Sequence, residues 1–138
     1  MRRSITELCI ADHGNDSAIL ASWLRNKTPE VFLSWIEQPS NSVLVAVANG
    51  IILAVGAVTK AGEITLNYVS PDARFRGVSR ALLEALEARA VERGNVRCTL
   101  TSTETAHRFY HDRGYVEDGV PTRKFGIPGY PMSKRLMW

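Results

Sequence analysis

The chain has 138 residues, of which 45% are hydrophobic and 22% charged, a composition that fits one globular domain and excludes a disordered or collagen-like chain. Its 17 Lys and Arg residues outnumber its 14 Asp and Glu residues, which gives a formal net charge of +3. This small excess does not by itself indicate nucleic-acid binding, although it suits a small polyanionic ligand. We therefore expect one domain over residues 1–138.

The cysteines and the N-terminal segment argue against a metal centre and a targeting signal. Cys9 and Cys98 are far apart in apolar contexts, which favours reduced, buried thiols, and no C-x-x-C pair exists. Met1-Arg2-Arg3 is not followed by an apolar segment, and the most apolar stretch is interrupted by Asn49-Gly50. We expect a cytoplasmic protein without a metal ion, a membrane segment or a nucleic-acid partner.

The first half of the sequence predicts one strand, two helices and a β-hairpin. Asp16 is a suitable N-cap for a helix with apolar residues at helical spacing, and Thr28 followed by Pro29 marks the start of the next helix. Asn49-Gly50 joins two β-rich segments and predicts a hairpin, because both turn residues need positive φ. In chain order, the elements cover residues 5–10, 16–25, 29–38, 43–48 and 51–58.

The second half predicts alternating strands and helices. A strand at residues 63–70 precedes a helix rich in Ala, Leu, Glu and Arg that runs from Arg76 or Gly77 to Arg93. Thr101-Ser102-Thr103-Glu104 matches a capping box, with Thr101 as the cap of a helix that ends at Gly114. Further strands are expected at residues 96–100, 115–117 and 133–137, the last two around a loop rich in Gly and Pro. The result is a mixed α/β domain with an antiparallel first half.

The segment between the strand at 63–70 and the long helix has the features of an anion site. The first N–H groups of a helix have no intrahelical partner, and the helix dipole is positive there. Gly77 allows a ligand to approach the backbone, and Arg74, Arg76 and Arg80 add positive charge. A pyrophosphate would fit such a site, and an ordinary turn with solvated arginines is the alternative. Neither G-x-x-x-x-G-K-[ST] nor G-x-G-x-x-G is present, which argues against nucleotide hydrolysis and dinucleotide binding.

Two motifs within residues 62–118 resemble the signatures of the GNAT superfamily of N-acetyltransferases. Arg74-x-x-Gly77-x-Ser79 resembles the acetyl-CoA motif Q/R-x-x-G-x-G/A, with Ser79 as a departure. The second motif is N-x-x-A-x-x-F-Y-x-x-x-G-F/Y. It is matched by Ala106, Phe109, Tyr110, Gly114 and Tyr115, whereas Thr103 stands where the motif has Asn. The resemblance implies the α/β (α+β) acyl-CoA N-acyltransferase fold: a mostly antiparallel sheet of six or seven strands, splayed at its centre and flanked by about four helices.

The resemblance also implies acetyl-CoA as co-substrate and a set of residues that bind it. The backbone of Val69 would pair with the pantetheine arm, and the loop and helix start would hold the pyrophosphate. Tyr110 matches the tyrosine that protonates the departing thiolate. A phenol can do so because its pKa near 10 keeps it protonated at neutral pH. The alternative is that Tyr110 is only a core aromatic residue. The implied acetyl-CoA-binding residues are Val69, Arg74, Phe75, Arg76, Gly77, Val78, Ser79, Arg80, Thr103, Ala106 and Phe109.

The base and the acceptor remain open at this point. Glu63 lies eleven residues before Arg74, a spacing similar to that of the catalytic glutamate in the histone-acetylating branch; His111, ordered water or no role for Glu63 are the alternatives. Acceptor recognition is implied at residues 25–35 and 119–131. We expect acetyl transfer to a primary amine of a small molecule, an amino-acid derivative or a protein. A non-catalytic acetyl-CoA sensor that regulates a protein partner is the alternative, and the resemblance is compatible with a homodimer.

Overall fold

The computed structural model describes residues 1–73, 77–124 and 126–136. Within these residues, four helices precede the sheet: α1 Arg2–Leu8, α2 Ile10–His13, α3 Ser17–Leu24 and α4 Pro29–Glu37. Two more helices connect strands, α5 Val78–Glu92 and α6 His107–Asp112, and a 3₁₀ turn spans Pro71–Ala73. The strands are β1 Asn41–Ala48, β2 Ile51–Thr59, β3 Glu63–Val69, β4 Arg97–Ser102, β5 Val116–Glu117, β6 Thr122–Lys124 and β7 Ile127–Arg135.

The described strands form one sheet in the order β1-β2-β3-β4-β7-β5, with β6 added to β7. Every pairing is antiparallel except that of β3 with β4, which is parallel and is bridged by α5. This confirms the expected mixed, mostly antiparallel sheet of six or seven strands. The parallel pair is the place where the two halves of the sheet meet.

β3 and β4 separate soon after they meet. They pair only at Glu63 with Thr99 and at Ile64 with Leu100, although β3 continues to Val69. Beyond Ile64, the edge of β3 that faces β4 therefore has no backbone partner in the described strands. A sheet that opens in this way leaves room for an extended ligand between two strands.

A β-bulge in β3 decides which side chains face this opening. Val58 pairs with Ile64 and its neighbour Ala57 pairs with Leu66, so one residue of β3 is extra and the side-chain alternation reverses. After the bulge, Asn67 lies opposite Gly56 on the face covered by α5, where a Cβ on that glycine would lie 2.8 Å from Leu86. The next residue, Tyr68, packs against the N-terminal helices on the other face.

The two faces of the sheet carry separate cores. On one face, buried apolar side chains from the sheet and α5 surround Leu83 and Leu86, which are 1% and 0% exposed. On the other face, Ile5, Cys9, Trp23 and Ile127 form a smaller cluster under α1 and α3. Both cysteines are buried and form no disulfide, as predicted. None of the described helices combines the length and the apolar character that crossing a membrane requires.

Several local predictions are confirmed by side-chain or backbone geometry. Asp16 caps α3 by accepting hydrogen bonds from two backbone N–H groups, and the Thr28 hydroxyl accepts from the N–H of Val31 at the start of α4. The hairpin turn has φ of 52° at Asn49 and 76° at Gly50, the left-handed conformation that an Asn-Gly turn adopts readily.

Three other predictions are wrong. Residues 5–10 form no strand: residues 5–8 belong to α1 and Ile10 begins α2, with Cys9 as the cap between them. Ile5 and Cys9, four residues apart, both enter the smaller core. Thr101 belongs to β4 and caps no helix; α6 begins six residues later at His107. The last strand begins at Ile127 and not at residue 133, because β7 pairs with β6 and β4 along most of its length.

Candidate active site

A cavity of about 400 Å³ occupies the opening between β3 and β4. Both motifs that resemble GNAT signatures contribute residues to its wall, although a helix and a strand separate them in the sequence. Of the predicted site residues, it brings together Val69, Gly77, Val78, Ser79, Arg80, Thr103, Ala106, Phe109 and Tyr110. Arg74, Phe75 and Arg76 lie outside the described residues. We call this space the donor cavity.

One end of the donor cavity is the N-terminus of α5. Gly77 is the N-cap with φ of 75°, and no described side chain caps the helix. The first intrahelical hydrogen bond runs from Ala81 N–H to the Gly77 carbonyl, so the N–H groups of Val78, Ser79 and Arg80 have no intrahelical acceptor. Among the described residues, a Cβ on Gly77 would meet nothing within 4 Å. These donors, together with the helix dipole, form a site that suits a phosphate group.

Tyr110 lies in the wall of the donor cavity and is only 7% exposed. The amide Nδ2 of Asn67 donates a hydrogen bond to its hydroxyl oxygen at 3.0 Å. Burial raises the pKa of Tyr110 to about 12, and the bond from Asn67 opposes that shift only in part. Because the phenol oxygen accepts from Asn67, the phenol's own hydrogen is available for another acceptor. The side chain is thus a protonated donor at neutral pH.

Asn67 is a site residue that sequence reasoning missed. An asparagine inside a strand of apolar residues is a visible anomaly, since Asn is depleted in strands. Simple alternation from Ile64, however, places Asn67 on the opposite face from that residue. The bulge reverses this, and no turn or glycine signal marks it in the sequence.

The loop after β4 is held from the N-terminal helices. The Asp12 carboxylate accepts hydrogen bonds from the N–H of Glu104 at 2.6 Å and from the N–H of Thr105 at 3.3 Å, and the hydroxyl of Thr105 also donates to it. In the same loop, the Thr103 hydroxyl accepts from the N–H of Ala106 at 3.3 Å. Thr103, predicted to touch acetyl-CoA, therefore also shapes the start of α6.

A second cavity, of about 540 Å³, adjoins the first on the side of α3 and α4. The two share lining residues from β3 and from the end of β4: Ile64, Thr65, Leu66, Tyr68, Thr101, Ser102 and Thr103. Glu63, exposed at the start of β3, lines the second cavity, whereas the exposed His111 lines neither cavity. We call this second space the acceptor cavity.

Part of the acceptor cavity comes from the segment in which acceptor recognition was predicted. Asn26, Lys27 and Trp35 line it, and Trp35 packs edge-on against Phe32 with ring centroids 6.2 Å apart. Both aromatic side chains are only partly buried, since α4 has no buried residue. Residues 127–129, from the predicted C-terminal segment, also reach the cavity. Across the described parts of the chain, no three His, Cys, Asp or Glu side chains come together as a metal-binding set.

Residues 10–136 match the family model described as an acetyltransferase (GNAT) domain. The chain belongs to the GNAT acetyltransferase family. The match includes both resembling motifs and all of the described strands, and it confirms the family inferred from those motifs.

Curated relatives of this GNAT chain include amino-acid acetyltransferases. The enzyme of that name from Pseudomonas putida is 30% identical over 121 residues, which cover 82% of this chain and 27% of the relative. The one from Azotobacter vinelandii is 32% identical over 109 residues, which cover 73% of this chain and 25% of the relative. The chain thus spans about a quarter of the length of these relatives.

Solved GNAT structures share the fold over nearly the whole chain. A GCN5-related N-acetyltransferase from Rhodopseudomonas palustris superposes with a TM-score of 0.83 at 25% identity, covering 98% of this chain and 84% of that one. The PaiA N-acetyltransferase from Thermoplasma acidophilum, in complex with coenzyme A, gives a TM-score of 0.78 at 18% identity, covering 97% and 89% of the two chains.

Proposed function

We propose that this chain is an N-acetyltransferase that moves the acetyl group of acetyl-CoA to a primary amine. The observation that carries the proposal is the pair of adjoining cavities at the opening between β3 and β4, with a protonated phenol in the wall of one. Membership of the GNAT family and the coenzyme A complexes among its structural neighbours support the same co-substrate.

The donor cavity offers groups that suit the chemistry of acetyl-CoA. The pyrophosphate would accept from the N–H groups of Val78, Ser79 and Arg80, with the guanidinium of Arg80 nearby and those of Arg74 and Arg76 expected from sequence. The amide-bearing pantetheine arm would pair with the open edge of β3 up to Val69, as an added strand does. Thr103, Ala106 and Phe109 would bound the arm from α6 and the loop before it.

Tyr110 is proposed as the general acid. When an amine attacks the thioester carbon, the carbon–sulfur bond breaks and the thiolate needs a proton. The phenol hydrogen, left free because Asn67 occupies the oxygen as a donor, would supply it. The raised pKa keeps the proton on Tyr110 until a thiolate develops.

Glu63 is proposed as the group that removes the proton of the acceptor amine. It lies at the start of β3 in the wall of the acceptor cavity, and the residues shared by both cavities follow it directly in the strand. A carboxylate in that position can accept a proton from an ammonium group directly or through a water molecule. Ordered water alone is the competing account, and a Glu63→Gln variant with an unchanged pH–rate profile would remove Glu63 as the base.

The proposal is tested by thiol release from acetyl-CoA across a panel of small amines, amino acids and peptides. Tyr110→Phe is expected to lower kcat by about 100-fold or more while leaving the acetyl-CoA KM nearly unchanged, because general acid catalysis contributes roughly 10²- to 10⁴-fold. Tyr115→Phe is the matched control: it also removes a buried hydroxyl, one bonded to Glu87 at 2.8 Å, but Tyr115 lines neither cavity. Acetyl-CoA binding without turnover of any amine would instead favour a sensor.

A further inference from the structure

The acceptor cavity contains a buried lysine for which the proposed reaction has no use. Lys27, in the connection between α3 and α4, is only 7% exposed, yet it lines the cavity. Its ammonium donates to the Asn26 side-chain oxygen at 2.6 Å and lies 6.0 Å from the ring centroid of Trp35. Burying an ammonium group carries a large desolvation cost, so a lysine here is an unusual choice for a cavity wall.

The position of this lysine is fixed by its backbone. Its N–H donates to the Leu24 carbonyl at 3.0 Å, and its carbonyl accepts from the guanidinium of Arg2 at 3.4 Å. The backbone of Lys27 is thus held at both of its peptide groups, which fixes the point from which the side chain extends. Such anchoring lowers the entropic cost of presenting the ammonium to a ligand.

The described lining of the acceptor cavity carries one charged side chain of each sign. Among the described residues that line it, Lys27 supplies a cation and Glu63 an anion, and the other polar groups are neutral. Tyr68 belongs with the neutral groups, because burial raises its pKa to about 12. Neutral amide and hydroxyl groups of Asn26, Asn41 and other lining side chains complete the polar surface. A ligand that carries one positive and one negative group matches this wall better than a polycation does.

We propose that Lys27 binds the carboxylate of the acceptor, so that the acceptor is a small zwitterionic amine of the free amino-acid type. This inference rests on the proposed function, since it names the acceptor of that same site. The ammonium of Lys27 would donate to the carboxylate, with amide donors beside it, while the amino group of the ligand lies on the side of Glu63. A charge-assisted hydrogen bond of this kind discriminates strongly against an acceptor in which the carboxylate is replaced.

The test compares acceptors that differ only at the carboxylate. Free L-amino acids, their α-carboxamides and the corresponding decarboxylated amines are offered to wild type, Lys27→Met and Lys27→Arg. Wild type is expected to prefer the free acids. In Lys27→Met, kcat/KM for the acids should fall by about 10- to 100-fold and that for the carboxamides by less than about 3-fold, with partial recovery in Lys27→Arg. Lys60→Met, at an exposed lysine that does not line the cavity, is the control.

A second readout separates this inference from the proposed function. Trp23 and Trp35 line the cavity, so binding of an acceptor without any acetyl donor is measured by tryptophan fluorescence, after thermal melting has shown that each variant is folded. If no amine is acetylated, the proposed function fails, but tighter binding of acids than of carboxamides, lost in Lys27→Met, still supports the inference. Equal binding and turnover of acids and carboxamides, or an equal loss for both in Lys27→Met, overturns it.

Discussion

The contact between Asn67 and Tyr110 gives a prediction whose size follows from the structure. Asn67→Ala removes the 3.0 Å hydrogen bond to a hydroxyl that is almost wholly buried, and Tyr110→Phe leaves the amide without that acceptor. Each single variant is expected to lose about 1–2 kcal/mol of unfolding free energy, the cost of an unsatisfied buried polar group. The double variant removes both partners, so its loss should be smaller than the sum by about 0.5–1.5 kcal/mol.

The same pair predicts how catalysis responds. Without the amide donor, the phenol hydrogen is no longer directed to one acceptor, so we expect Asn67→Ala to lower kcat by about tenfold, less than the loss for Tyr110→Phe. Because Asn67 acts only through Tyr110, the double variant should be no slower than Tyr110→Phe.

Urea unfolding gives the stabilities and thiol release gives the rates of the four proteins. If Asn67→Ala lowers kcat by the same factor in the Tyr110→Phe background as in wild type, the view that Asn67 positions the acid is refuted. Additive losses of stability would refute the energetic coupling.

Three further predictions concern the helix start, the loop and alkaline pH. Gly77→Ala and Gly94→Ala both place a methyl group at positive φ with no described residue within 4 Å, so each should cost about 1 kcal/mol in urea unfolding. Only Gly77→Ala should also raise the acetyl-CoA KM. Asp12→Ala removes the acceptor of the N–H groups of Glu104 and Thr105. It should raise the acetyl-CoA KM and lower the unfolding free energy by about 1 kcal/mol, measured by the same assays. An unchanged KM would show that this loop does not affect acetyl-CoA binding. Burial raises the pKa of Tyr68 and Tyr110 to about 12, above the unfolded value of 10. The stability that each tyrosine contributes is therefore fully present below pH 10 and falls by roughly 2–3 kcal/mol per tyrosine as the pH rises to about 12. Unfolding curves that do not change between about pH 9 and pH 12 would contradict this.

The sequence predicted the elements whose signals are local. The Asn49-Gly50 turn, the Asp16 and Thr28 caps and the long helix before Gly94 each follow from the preferences of one or two residues. Two motifs, read together, also identified the family and predicted the opening in the sheet, because the resemblance carries the arrangement of distant segments with it. Neither motif alone describes a cavity; the pairing of β3 with β4 brings them together.

What sequence reasoning missed depends on tertiary contacts. The bulge that turns Asn67 toward Tyr110 arises from pairing with β2, and it leaves no glycine or proline signal. The first segment is short and apolar, so strand and helix are hard to separate by pattern, and burial under α3 decides for helix. The supposed capping box failed because β4 extends through Thr101, where pairing with β7 outweighs a local cap. The burial of Lys27 was invisible in the sequence for the same reason, since it comes from packing in the folded chain.

The central claim is that the donor and acceptor cavities act together in direct acetyl transfer. The most direct measurement mixes the protein in excess with acetyl-CoA and an amine, and follows acetylated amine and free coenzyme A by mass spectrometry within a single turnover. The account predicts that both products form together in equal amounts, at a rate that falls by about 100-fold or more in Tyr110→Phe. Coenzyme A release without acetylated amine, or an unchanged rate in Tyr110→Phe, would contradict it.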